Sequence, residues 1–346
     1  MKRPSSALDW YRWMLGGVLA FLLILVFVGA IVRASGAGLG CPDWPTCWGC
    51  LVPPWKADQI DLEKIDFEKF KRKAERLGRN PDEVTRETVL ASFNPVHTWT
   101  EFINRLVSLP IGLFSLASVV FALAMPPIRD RWRFRLVAIA SLLIILINAW
   151  MGREIVYSGL KPGIITTHLA LAMLLIVLLV YGRWIANARP AELNATKKLF
   201  YLVVALFGFV VAEGIMGAQV RELTDELAKS HIGEDRASWI GEIEKTGIFL
   251  VHRSFSWFIV ILSIAAYIQA RKQKIQDWRV GGTLGLVLTM MVMGVILGHV
   301  AILPVVQVLH VGVAALMVTV IFSWMLRLTP ALKGRRDLLA SVGEEA

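Results

Sequence analysis

Charge is scarce in this 346-residue chain. Asp, Glu, Lys and Arg make up only 18% of it, against 56% hydrophobic residues and a mean hydropathy of +0.59. A soluble domain of this length does not combine so little charge with so much apolar surface, so that class is excluded. Cysteine is scarcer still, with three residues, all between positions 41 and 50. No fourth ligand stands near them, which argues against a cysteine metal cluster. A cleavable signal is missing too: Met1–Arg12 is polar, with no Ala-x-Ala site before the first apolar run. It is too short for a transit peptide, so a prokaryotic chain is expected. The net charge of +10 invites a nucleic-acid partner. That reading fails once the charges are placed, because most basic residues fall in short loops on one membrane side.

What the sequence has in abundance is long apolar runs. A bilayer core of about 30 Å needs roughly 20 such residues in a helix. Eight runs qualify: Met14–Val32, Trp99–Met125, Leu136–Met151, Gly163–Tyr181, Leu199–Val220, Ile248–Ala270, Gly282–Val300 and Leu303–Leu326. The third is short, and little more than Pro304 parts the last two. Thirteen Trp and sixteen Phe fit interfacial belts and a packed, cofactor-sized interior. The fold class expected is an all-α membrane protein of eight transmembrane helices.

Lys and Arg set the orientation. Lys2, Arg3 and Arg12 precede the first run. Arg129, Arg131, Arg133 and Arg135 lie between the second and third. Arg183, Arg189, Lys197 and Lys198 lie between the fourth and fifth. Arg271, Lys272, Lys274 and Arg279 lie between the sixth and seventh, and Lys333, Arg335 and Arg336 follow the eighth. Both termini are therefore expected to be cytoplasmic. Two outer loops are large. In loop 34–96, Phe67, Phe70, Ala74 and Leu77 recur at helical spacing, as in an amphipathic helix lying on the membrane or capping a site, or a solvated decoration. Asn80-Pro81 breaks that pattern and Asp82 is a candidate cap for a second turn. Loop 221–247 is net acidic and carries no recognisable motif.

The two halves resemble each other, giving residues 1–190 and 191–346 as expected four-helix bundles related by pseudo-symmetry. Gly29-Ala30-x-Val32-Arg33 answers Gly217-Ala218-x-Val220-Arg221. Asn104-Arg105 answers His252-Arg253, and His168-Leu169-Ala170 answers His310-Val311-Gly312. Both halves start on the same side, as in a parallel repeat with its axis along the membrane normal.

Polar groups within a span are costly and usually functional. His252 and His310 sit a few residues inside the outer ends of their helices. Two imidazoles on facing helices suit axial ligation of a b-type heme iron, the alternative being histidines that glue helices by hydrogen bonds. The first half has His168, but Asn104 stands where His252 is expected. His97 lies two turns earlier on the same face, roughly 10 Å nearer the outer surface. Either His97 ligates, or a heme here keeps one protein ligand and an open face. His299 reads as interfacial and His231 as solvated. Arg33, Arg105, Arg221 and Arg253 gather at the outer helix ends. Arg105 and Arg253, next to the ligand positions, are the candidates for heme propionates, with snorkelling to lipid headgroups as the alternative. Glu101 is a carboxylate inside a span, hence a candidate general acid/base or proton relay. In a periplasmic loop a disulfide between two of the three cysteines is permitted. A Cys41–Cys47 bridge would close a tight proline-containing loop, as a staple or as an electron-exchanging bond. Cys50 is then the odd thiol.

Together these residues resemble the heme A synthase family. The resemblance rests on Ser35-Gly-Ala-Gly-Leu-Gly-Cys-Pro-Asp-Trp-Pro-Thr-Cys47, Glu101-x-x-Asn104-Arg105, Val156-Tyr-Ser-Gly-Leu160, His252-Arg253 and His310, and so covers most of the chain. It implies a membrane oxidoreductase that converts the ring methyl of heme O to the formyl of heme A through a hydroxymethyl stage. It also implies heme b on His252 and His310, and substrate ligation by His168, with either His97 or no protein ligand on the other side. Heme O and heme A are then its ligands and a bacterial inner membrane its location. Heme O synthase, cytochrome oxidase assembly factors and a second copy of the chain are candidate partners. Two departures stand out. The family's helix motif usually reads Glu-x-x-His-Arg, where this chain has Asn104, and the second outer loop has no cysteine pair. The rival readings are a quinol-oxidising membrane cytochrome b and a heme transporter or chaperone.

Overall fold

In the computed structural model the described residues are 6–76, 80–128, 130–158, 161–187, 193, 195–231, 234 and 236–328. Lys2, Arg3, Leu77, Arg129, Gly159, Leu160, Arg189, Lys333, Arg335 and Arg336, all used above, lie outside them. Eleven α-helices form the described part: α1 (Ala7–Ala34), α2 (Phe67–Arg76), α3 (Arg86–Ala91), α4 (Pro95–Leu123), α5 (Arg131–Tyr157), α6 (Ile164–Ile185), α7 (Lys197–Ser230), α8 (Arg236–Glu244), α9 (Gly247–Lys272), α10 (Trp278–His299) and α11 (Pro304–Leu328). Eight of them are long and apolar enough to span a bilayer: α1, α4, α5, α6, α7, α9, α10 and α11. The protein is thus an all-α, multi-pass membrane protein, with no strand among the described residues.

Four of the spanning helices start where a side chain satisfies a free N–H of the first turn. Ser6 accepts from the Asp9 N–H, Asn94 from His97, Thr196 from Leu199 and Asp277 from Arg279. Pro95 and Pro304 occupy first helical positions, where no N–H is needed. The third apolar run is short, yet α5 spans 27 residues. Its first five residues include Arg131, Arg133 and Arg135, which extend the helix past the apolar slab without adding to the run. α7 likewise continues ten residues past Val220, into the stretch read as a loop.

The outward faces of the spans are apolar. Leu109, Leu113 and Ile261 are 60%, 70% and 61% exposed. In water such a surface marks an interaction face; here it meets acyl chains. Between helices, where lipid is as apolar as Leu, small residues permit the close approach that drives packing. Gly182 of α6 is one: a Cβ there would lie 2.6 Å from Leu15 Cδ1 and 2.7 Å from Val137 Cγ1. Gly312 of α11 is another, with the Phe27 ring of α1 filling the place of its Cβ.

α1, α4, α5 and α6 contact one another in a closed ring, as do α7, α9, α10 and α11. The rings meet where α11 packs on α1 and α6, and α6 packs on α7. One hydrophobic core runs through both.

The segment between α1 and α4 folds onto a second, smaller core of Cys41, Cys47, Trp48, Ile60, Ile65 and Val89. Phe67 and Phe70 of α2 turn inward onto it, and Ala74 is buried. The amphipathic face expected there packs on the loop's own core. Asn80, rather than Asp82, caps the next turn: its Oδ1 accepts from the Asp82 N–H ahead of the short turn Pro81–Glu83. In the other large segment His231 departs from its solvated reading. It is half-buried, stacks on Trp239 of α8 at 5.7 Å, and lies 3.4 Å from Glu242.

Candidate functional site

The four sequence-matched polar positions occupy four matched settings. His252 is the sixth residue of α9 and His310 the seventh of α11. A Cβ on Gly217 would lie 3.2 Å from His252 Cε1, and one on Gly294 would lie 3.8 Å from His310 Cε1. In the other ring, a Cβ on Gly152 would lie 3.8 Å from His168 Cε1, and one on Gly29 would lie 3.7 Å from Asn104 Oδ1. Each side chain therefore faces a glycine on a neighbouring helix, which keeps the space beside it clear.

The polar atoms of these side chains are unusual for a hydrophobic interior. Nδ1 of His168, His252 and His310 and Oδ1 of Asn104 are buried without a hydrogen bond. A buried unpartnered polar atom costs roughly 1–3 kcal/mol, so such a set calls for a ligand or a function. His252 and His310 are within electrostatic reach of each other. His168 has the Asn148 backbone within polar range, without a well-formed hydrogen bond.

One residue beside this set escaped the sequence reading. Glu213 of α7 holds Oε1 3.2 Å from His252 Nδ1, off the line of a good hydrogen bond, while its Oε2 is buried and unpartnered. The signal was available: Glu213 is the one charged residue in the run Leu199–Val220. Glu222 is a second omission. Its Oε1 accepts from the N–H groups of Gly163 at 3.0 Å and Thr166 at 2.9 Å, and so holds the start of the helix that carries His168.

Glu101 and Arg105 lie one turn apart on α4 and grip the cysteine loop. Glu101 Oε2 accepts from the Cys41 N–H at 2.8 Å, and its Oε1 meets Arg105 Nη2 at 2.6 Å. Arg105 Nη1 donates to the carbonyls of Asp43 at 2.8 Å and Thr46 at 2.9 Å, and Nη2 also to Cys41 at 3.3 Å. Four of its five N–H donors are thus committed. Cys41 and Cys47 are joined as a disulfide, and Cys50 is free and half-buried. Asp43 closes the turn, accepting from the N–H groups of Trp48 at 2.6 Å and Gly49 at 3.0 Å and from the Thr46 hydroxyl. Trp48 and Gly49 both have positive φ, 57° and 72°, and these contacts hold them there.

The four arginines read as one group divide in two. Arg33 and Arg221 share Asp225, with Arg33 Nη2 at 2.7 Å and Arg221 Nη2 at 3.0 Å, which joins α1 to α7. Arg253 is exposed, its guanidinium 5.9 Å from the Phe249 ring centroid, with no hydrogen bond or ion pair among the described residues. His97 is half-buried in the first turn of α4, and His299 is exposed at the end of α10.

The chain is similar to known proteins over most of its length. The chain is 26% identical over 294 residues to the heme A synthase of Rhizorhabdus wittichii, covering 78% of this chain and 79% of that one. It is 24% identical over 275 residues to the heme A synthase of Bartonella quintana, covering 73% of each. A match to the heme A synthase of Shewanella oneidensis is 27% identical over 186 residues, 53% of this chain and 47% of that protein. The model of the cytochrome oxidase assembly protein family, COX15-CtaA, matches residues 11–322, and the chain belongs to that family.

Proposed function

We propose that this protein is a heme A synthase. It oxidises the ring methyl of heme O to a formyl group through a hydroxymethyl intermediate, with heme b held in the second ring by His252 and His310. The observation that carries the reading is the matched set of buried, unpartnered polar atoms, each facing a glycine on the next helix. Those glycines leave room for a flat macrocycle edge, and imidazole is the donor that suits heme iron. The two rings are read as a duplicated bundle, residues 1–190 and 191–346. The termini face the cytoplasm of a bacterial inner membrane, and the heme sites lie toward the outer leaflet, on the strength of the basic loops.

Bound heme b supplies one-electron chemistry, and the oxidation itself belongs to the substrate heme. The chain's own residues position and anchor. His168 offers its imidazole to the substrate heme from α6, whose first turn Glu222 fixes. Asn104 stands where the second ring has His252 and is a poor iron ligand, so the opposite face stays open unless His97, two turns up, reaches it. Glu101 lies three residues, about 4.5 Å along the axis, from Asn104 and holds or moves a proton near the reacting methyl. Arg253 has a free guanidinium for a propionate. Arg105 has one N–H left for that task, and its main role is to clamp the disulfide loop over the site.

The test is to express the chain with a source of heme O and separate the extracted hemes by chromatography. Hydroxymethyl and formyl products are expected. Accumulation of heme O with neither product overturns the assignment.

A further inference from the structure

Glu213 has no place in the mechanism above, yet it is an acidic residue inside a span. Such a group is costly there and is kept for a reason. Its side chain is 13% exposed, and its nearest ionisable neighbour is His252, with Oε1 3.2 Å from Nδ1. The matching position in the first half, four residues before Gly29, is Leu25, so the carboxylate is not part of the repeated frame. It occurs only in the ring that carries two histidines, His252 and His310.

We infer that Glu213 is a positioning residue for His252, an inference that rests on the bis-histidine reading of the second ring. Its carboxylate accepts the Nδ1 hydrogen, so the imidazole presents Nε2 to iron and cannot turn over. The two atoms already lie 3.2 Å apart, within hydrogen-bond distance. Metal-bound histidines commonly donate their second N–H to a carboxylate or carbonyl, which fixes the tautomer and makes the ligand more basic. A more basic imidazole and a nearby negative charge both favour the oxidised iron. Glu213 therefore holds the reduction potential of this heme down, which suits a donor of electrons to a partner heme.

The experiment is a potentiometric titration of the purified full-length protein, followed at the reduced heme b absorption band, for the parent, Glu213→Gln and Glu213→Asp. The parent shows a low-spin heme. Glu213→Gln keeps the low-spin spectrum with a potential shifted in the positive direction, and Glu213→Asp falls between. A low-spin Glu213→Gln protein with the parent's potential overturns the inference while leaving the ligation reading intact. A parent without low-spin heme overturns both. Should neither variant retain heme, redox-difference infrared spectra of the parent decide. A carboxylate band that shifts with heme oxidation state, and moves on ¹³C-glutamate labelling, is expected; its absence overturns the inference.

Discussion

Arg105→Met is the substitution that most directly tests how the cysteine loop is held. The guanidinium is 17% exposed and Glu101 only 5%, so the pair is largely out of water. Removing one partner of a buried pair costs about 3–5 kcal/mol, because the remaining charge is left uncompensated. The three loop carbonyls lose charge-assisted donors as well, but water reaches them once the loop lifts, so they add less. At about 1.4 kcal/mol per factor of ten, the loop's opening equilibrium rises by roughly two to three and a half decades. Hydrogen exchange read by mass spectrometry reports this directly on peptides covering residues 38–50, since local opening sets exchange. Spans remote from the loop keep the parent's exchange. The double variant Glu101→Gln/Arg105→Met recovers part of the loss, because deleting both partners removes the stranded charge. Unchanged exchange at residues 38–50 in Arg105→Met refutes the clamp.

Other substitutions probe the matched positions. Asn104→His places a second imidazole opposite His168, so any heme bound there gains low-spin absorption and stops binding carbon monoxide; an unchanged spectrum and carbon monoxide uptake argue against the open face. Gly217→Leu drives a side chain into the His252 ring, already 3.2 Å from a Cβ at that site, and should abolish low-spin heme while the protein still elutes as a folded species from size exclusion. Asp225→Asn breaks the ion pairs with Arg33 and Arg221, whose side chains are 23% and 21% exposed, and should cost about 1–3 kcal/mol, read as a lower unfolding temperature in detergent.

The spans were legible because a bilayer imposes composition as well as pattern: a helix that must satisfy its own backbone in lipid cannot hide among polar residues. The helix ends were less so. Arg131, Arg133 and Arg135 extend α5 without extending its apolar run. Glu222 and Asp225 extend α7 because they have partners on other elements. The histidines were readable as buried ligand candidates from depth and repetition alone. The loop contacts were not, because Arg105 and Glu101 bind backbone groups of Cys41, Asp43 and Thr46, and a carbonyl or N–H leaves no signature in side-chain identity. His231 read as solvated because nothing local announces the Trp239 ring that covers it.

The differences between the rings carry more of the functional argument than the likenesses. A frame that merely stored two equivalent hemes would keep His at 104 and leave both arginines alike. Instead the first ring gives up a strong donor at Asn104, and its arginine is spent on a disulfide loop that covers that end of α4. The second ring keeps two imidazoles, His252 and His310, adds a carboxylate 3.2 Å from His252 Nδ1, and leaves Arg253 unpaired among the described residues. Strong ligation from both sides fixes a heme in place and suits it to passing electrons. Weaker ligation under a clamped lid suits a heme that must arrive, react and leave. On the proposed heme A synthase reading, the division of labour between the rings follows from the positions at which their matched residues differ.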